Sequence, residues 1–249
     1  MREAVLSDLD DLLLRHRGWT ARPPREERIM VLASGGLDST VAMAWCAEEL
    51  DATVHPLFVR RSARATPFEE SALDRVVVSL RERYGDRIAR AVKIEAEIPP
   101  AGLKRHFHQR AATLGHPMRD ASMQNLAVQQ AVALQAGEGL AIHTIITGAI
   151  ADDPFPHTSL VSLRAETLLV CLDTEDWDWQ ITSPFVDPLL GPPRSKSQII
   201  RWAVERELPL AHTRTCIGDG PEPDGTCAEC RWRRAAFREA GLVDPAVAP

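Results

Sequence analysis

What the chain lacks narrows its nature before any motif is read. No apolar run approaches the ~20 residues that a membrane-spanning helix needs, so no span is expected. Asp8, Asp10 and Asp11 interrupt the only apolar stretch at the N-terminus, which argues against a signal peptide. Basic charge is not in excess: 29 Lys and Arg stand against 35 Asp and Glu. The resulting net charge of −6 argues against non-specific affinity for nucleic acid. Cysteines number five, three of them crowded near the C-terminus, which suits a reducing compartment, expected to be the cytoplasm, and a metal better than a disulfide framework. What is there is ordinary for a globular protein, 45% hydrophobic and 26% charged over 249 residues. That length allows one large α/β domain, or one domain with appendages, and a sizeable core.

One stretch organises the rest. Ile29 to Leu32 reads as a short apolar strand, Ala33 to Ser39 as a loop of small residues, and the following residues as a helix starting near Asp38 or Ser39. Adjacent Gly35 and Gly36 let backbone N–H groups converge on one point, and the helix adds the positive end of its dipole. A di- or triphosphate placed there is held by backbone and by the hydroxyls of Ser34, Ser39 and Thr40. The loop lacks the Gly-Lys-Ser/Thr ending of a Walker loop, which makes pyrophosphate the expected guest. Asp38 is the residue expected to steer an accompanying Mg²⁺.

Residues 4–16 place Val5, Leu6, Leu9, Leu12 and Leu13 at helical spacing, which predicts an amphipathic helix. A Pro-rich linker at 23–28 sets it apart; it docks either on the domain's own surface or on a second subunit or partner. Strands are expected at 53–59, 91–95, 140–147 and 179–185, and helices at 39–50, 69–84, 119–135, 158–175 and 196–205. This alternation predicts a doubly wound parallel sheet with helices on both faces and ligands at the carboxyl ends of its strands. Asp152 to His157 forms a loop after a buried strand, either a place where a second substrate is read or an ordinary turn. Lys196 stands at a helix start, where the dipole does not favour a cation; it faces an anion, or it is simply solvated.

Cys216, Cys227 and Cys230 supply three soft ligands, the last two with C-x-x-C spacing. For a fourth there are Asp224, Asp219, Glu229 or a water; the thiols could also be metal-free or redox-active. Cys46 and Cys171 read as buried helix residues.

Ser34-Gly35-Gly36-Leu37-Asp38-Ser39 resembles the S-G-G-x-D-S loop of the PP-loop ATP pyrophosphatases, the adenine-nucleotide α-hydrolase type. Further patches resemble one branch of them, the 7-cyano-7-deazaguanine synthase family: Pro117-Met118-Arg119-Asp120, Lys196-Ser197-Gln198-Ile199, and the run from Thr215-Cys216 through Asp224-Gly225-Thr226-Cys227-Ala228-Glu229-Cys230 to Arg231, similar to its C-terminal zinc knot. Three segments follow from this: an N-terminal helix and linker (1–28), a PP-loop ATP-binding domain (29–210) and a zinc-binding end (211–249). The departures are specific. Asp224 stands where the family has a zinc cysteine, and Asp120 where it has Asn. If Phe155-Pro156 aligns with the family's Tyr-Pro, His157 and Ser159 have replaced its Asp and Arg.

The resemblance implies ATP-dependent activation of the carboxylate of 7-carboxy-7-deazaguanine as acyl-AMP, followed by attack of ammonia to give an amide and then a nitrile. It implies ATP held by Ala33 through Thr40 with Mg²⁺, and Zn²⁺ on Cys216, Asp224, Cys227 and Cys230. Asp38, Lys196 and Arg119 act at the phosphates, and Asp152, Asp153, Phe155 and His157 border the deazaguanine. Asp224 is a labile zinc ligand or leaves zinc to hold the incoming amine. Two alternatives stand beside this reading: a relative from anti-phage defence that transfers the acyl group to an amine of a partner protein, and an ATP-binding scaffold without turnover. A tRNA-thiolating enzyme fits less well, for want of a basic tract. A homodimer is compatible with all of these.

Overall fold

The computed structural model describes residues 2–100, 102–103, 106 and 116–246. After helix α1 (Arg2–Arg17) come β1 (Arg28–Leu32), α2 (Leu37–Glu49), β2 (Thr53–Arg60), α3 (Thr66–Tyr84), β3 (Val92–Glu95), α4 (Arg119–Glu138), β4 (Thr144–Ile146), α5 (Leu160–Thr174), β5 (Gln180–Thr182), α6 (Lys196–Glu205) and α7 (Ala228–Ala240). The five strands form one wholly parallel sheet, in the order β3-β2-β1-β4-β5. The chain winds outward from β1 to β3, then crosses back to build β4 and β5 on the other side. A crevice therefore opens between the carboxyl ends of β1 and β4, where ligands bind in sheets of this kind.

Both faces of the sheet are covered, which is why its strands read as nearly continuous apolar runs. Along β1, Ile29 and Val31 point into a core shared with Val76 of α3 and Ile199 of α6. Met30 points the opposite way, into a second core with Ala127 and Ala131 of α4 and Leu163 of α5. Helix α2 is buried from Leu37 and from Ser39 through Ala47, as expected of a helix that is apolar nearly all round. The expected doubly wound fold is the one observed.

Boundaries differ where the sequence pattern has no partner in space. The strands expected at 140–147 and 179–185 shrink to three residues each, because β4 finds main-chain partners only opposite Ile29–Val31 and Gln180–Thr182. Helix α3 starts at Thr66, before the expected Glu69, because Pro67 suits its first turn. Helix α5 starts at Leu160, where the Ser159 hydroxyl accepts from the Ser162 N–H. Helix α4 runs on to Glu138 and stops at Gly139, whose φ of +69° is the left-handed conformation common just past a helix end. Helix α7 was not expected as a helix; its cap is the Cys227 sulfur, which accepts from the Cys230 N–H.

The N-terminal helix takes the first of its two expected docking modes, on this chain's own surface. Leu13 is fully buried, and the Arg17 guanidinium donates to the carbonyls of Thr20 and Trp179, both at 2.5 Å. Arg164 of α5 reaches Asp10 at 3.0 Å while gripping the buried Asp187 carboxylate at 2.7 and 3.1 Å. Cys46 and Cys171 are buried, as expected. No helix among the described residues is long and apolar enough to cross a membrane. Residues 247–249, the tail of the expected C-terminal segment, lie outside the described residues.

Candidate active site

Strand β1 hands the chain to Ala33, whose N–H bonds the Leu57 carbonyl at 2.9 Å, and then to the Ser34–Ser39 loop. Gly35 has φ +71°, and a Cβ there would lie 2.4 Å from the Glu69 carbonyl oxygen and 2.7 Å from the Leu73 nitrogen. Only glycine lets the loop pass so close to α3. Gly36 caps α2 without a side-chain hydrogen bond, so the first N–H groups of that helix face the crevice as anion donors. The loop braces itself: the Ser34 N–H donates to the Ser39 hydroxyl at 3.2 Å and the Gly36 N–H to the Ser34 hydroxyl at 3.3 Å. Thr40 corrects one expectation, for it is fully buried and its hydroxyl donates to the Gly36 carbonyl at 2.7 Å. It shapes the loop from within and offers no hydroxyl to a phosphate. Gly148, just past β4, sits so near α2 that a Cβ would lie 3.0 Å from the Ser39 nitrogen.

Lys196 is 1% exposed, and the anion it faces is internal: its Nζ lies 2.9 Å from Asp38 Oδ2 and 4.0 Å over the Trp232 ring. The solvated alternative is overturned. Asp38 Oδ1 is buried and meets no donor among the described residues. Asp152 also departs from expectation. It is exposed, stands outside the cavity lining, and accepts the Lys196 backbone N–H at 2.9 Å, capping α6 together with Ser195 and Gln198.

The crevice is a cavity of about 330 Å³ with the Ser34–Ser39 loop on its wall. Arg119 and Asp120 of α4, Asp153, Phe155 and His157 of the loop after β4, and Glu229 of α7 line it as well. Arg119 Nε donates to Asp120 Oδ1 at 2.7 Å, and His157 Nε2 lies 2.9 Å from Asp120 Oδ2, an ion-pair contact with poor hydrogen-bond angles. The Phe155 and His157 rings stack with centroids 5.3 Å apart. Burial resists charge on Asp120, but His157 and Arg119 overcome it and hold the carboxyl well below the usual carboxylate range. Asp153 goes the other way. Burial raises it and the nearby Asp38 adds to the rise, against the lowering hydrogen bond from the Phe155 N–H.

The C-terminal cysteines gather as the sequence suggests. One donor atom from each of Cys216, Asp224, Cys227 and Cys230 lies within 4.8 Å of every other. A tetrahedral ion with metal–sulfur bonds of ~2.3 Å needs its sulfurs about 3.8 Å apart, so a modest inward shift closes the site and the donor set fits a metal. Of the possible fourth ligands, Asp224 is with the thiols, while Glu229 lines the cavity. N–H groups of Gly218 and Asp224 point at the Cys216 sulfur, each at 3.3 Å. The neighbouring thiols do not share charge equally: Cys230 is pushed up to about 12 by burial and by Cys227, whereas backbone N–H groups hold Cys227 down against burial.

Sequence reasoning missed Arg214. Its backbone N–H donates to the Gly35 carbonyl at 2.8 Å, while its guanidinium binds the carbonyls of Gly218, Gly220 and Pro221 at 2.8 to 3.0 Å. One residue thus joins the phosphate loop to the cysteine cluster. Nothing in the spacing marks it beyond its place two residues before Cys216.

A Ser-Gly-Gly-x-Asp-Ser loop at the switch point of a β3-β2-β1-β4-β5 parallel sheet defines an α/β protein of the PP-loop ATP pyrophosphatase kind. More narrowly, the chain belongs to the family of the queuosine biosynthesis protein QueC, whose family model matches residues 28–241. It is similar to the 7-cyano-7-deazaguanine synthase of Methanopyrus kandleri, at 28% identity over 87% of this chain and 96% of that protein. It is also similar to the enzyme of the same name from Acidobacterium capsulatum, at 26% identity over 89% and 96%. Among solved structures, the U34-tRNA thiolase NcsA from Methanococcus maripaludis, with its 4Fe-4S cluster, covers 96% of this chain and 75% of its own. Its TM-score of 0.40 and 11% identity are too distant to assign a metal or a reaction.

Proposed function

We propose that this chain is an ATP-dependent adenylating ligase that activates the carboxylate of 7-carboxy-7-deazaguanine as an acyl-AMP and passes the acyl group to ammonia. The first product is the amide, and a second activation of the amide oxygen gives the nitrile. The observation that carries this reading is the shared cavity, which sets the N–H-rich Ser34–Ser39 loop beside Asp153 and the Phe155 ring. A carboxylate resists nucleophiles until one oxygen leaves as part of a better leaving group, and AMP is one. Attack on the α-phosphorus needs the departing pyrophosphate fixed, which the loop and the start of α2 can do.

The buried Asp38 Oδ1, without a donor among the described residues, fits a Mg²⁺ riding on the phosphates, where it would neutralise the leaving charge. Lys196 keeps Asp38 in place, and Arg119 lies on the wall where α-phosphate charge would build. Asp153, which already holds the Phe155 N–H, would take further hydrogen bonds from the amino and ring N–H groups of the deazaguanine. Three thiols and a carboxylate favour Zn²⁺ in the C-terminal cluster, where it would act as a structural tie.

Labelled pyrophosphate should enter ATP only when 7-carboxy-7-deazaguanine is present, and the nucleotide product should be AMP. ADP, or exchange indifferent to the carboxylate, rejects the reading; binding of ATP with neither exchange nor product leaves the scaffold alternative standing. Mass spectrometry then decides the acceptor. Free amide and nitrile support ammonia, while an acyl adduct on a co-expressed protein, without free amide, replaces ammonia with a protein amine.

A further inference from the structure

Asp120 begins α4 and His157 lies in the turn before α5, yet the fold brings His157 Nε2 to 2.9 Å from Asp120 Oδ2. Their geometry is fixed on each side. Arg119 Nε holds the other Asp120 oxygen at 2.7 Å, and the Phe155 ring lies 11° from parallel to the imidazole. With Nε2 turned to the carboxylate, Nδ1 has no hydrogen-bond partner among the described residues, and the ring lines the same cavity as the phosphate loop.

We infer that His157, oriented by Asp120, accepts the proton that the amine sheds as it attacks the acyl adenylate. This inference rests on the proposed adenylation. In the step, the nitrogen lone pair forms the C–N bond, the C–O bond to AMP breaks with its electron pair going to the phosphate oxygen, and the nitrogen's proton passes to Nδ1 and on to solvent. No oxidant or further reactant is required. A carboxylate this close to an imidazole stabilises the imidazolium that forms. The charged groups facing His157 are Asp120 and, behind it, Arg119 from α4, and Asp153 from its own loop. A pair that merely clamped the turn to α4 would not distinguish the two half-reactions.

That distinction is the test, made on the full chain with ATP, 7-carboxy-7-deazaguanine and ammonium chloride. His157→Gln is expected to slow amide formation at least ~100-fold more than it slows ATP–pyrophosphate exchange, the low end of what a general base contributes. Hydroxylamine, largely deprotonated at neutral pH, should close that gap. Asp120→Asn keeps the imidazole without its anchor. It should show a smaller loss confined to the same step, and it decides the question if His157→Gln melts too low to assay. Equal slowing of both half-reactions, or no rescue by hydroxylamine, overturns the role of His157. Absence of exchange in the wild-type chain is a separate result and fails the adenylation reading instead.

Discussion

At the scale of single residues, the site is built from charges that the interior tolerates only in pairs. Lys196 and Asp38 are the clearest case, an ammonium at 1% exposure whose carboxylate partner is also largely covered. Removing one partner leaves the other desolvated and alone, so Lys196→Met should cost about 3 kcal/mol in urea unfolding, and Asp38→Asn in that background should restore part of it. Asp153 has no such partner. Its folded pKa is raised, so the protonated form is the one that folding favours; the stability is intact below about pH 4 and declines as pH rises through the folded value. Asp153→Asn is therefore expected to raise the melting temperature at pH 8 by about 2–4 °C, the response of a chain of this size to ~1 kcal/mol, and to leave it nearly unchanged at pH 3. The same variant should weaken carboxylate-dependent exchange. The candidate site was partly legible here: Ser34, Asp38, Asp153 and His157 could be named from motif and position. That Lys196 would spend its charge on Asp38, and Asp152 its oxygen on a helix start, depended on approaches between distant parts of the chain.

At the scale of elements, the loop between β1 and α2 is shaped by what lies against it. Gly35 passes over α3, Gly148 abuts the start of α2, and the Arg214 N–H fixes the Gly35 carbonyl. Gly35→Ala combines a left-handed φ with a Cβ placed against backbone, which cannot give way as a flexible side chain would. We expect a loss of about 2–3 kcal/mol in stability and at least a ~10-fold weaker ATP affinity by calorimetry. Helices α1 to α6 were legible in type and rough position because periodicity and capping residues are local signals, whereas α7 was not expected. The short span of β4 was not, because a strand ends where its neighbours stop offering hydrogen bonds. Nor was the docking of α1 decided by its amphipathic face, which only says that something must cover it; Arg164 and Arg17 supply the answer in space.

At the scale of the whole molecule, two regions far apart in sequence behave as one unit. The cysteine cluster and the Ser34–Ser39 loop share Arg214, so a metal ordering Cys216, Cys227 and Cys230 would also steady the segment holding Gly35. Cys227→Ser, or prolonged chelation, should remove the bound metal and weaken ATP affinity by about 10-fold, ~1.4 kcal/mol, measured as metal content alongside nucleotide titration. Unchanged ATP affinity after complete metal loss would separate the two regions. By itself the sequence determined the class of fold, the place of the Gly-rich loop after β1 and the presence of a thiol cluster, since each is written in residues adjacent in the chain and acting over one or two turns. Only the tertiary structure decided which carboxylate joins the thiols, which charges neutralise one another and which are left facing the cavity. Those outcomes turn on distances of a few ångströms between segments up to 158 residues apart, and no local pattern encodes them.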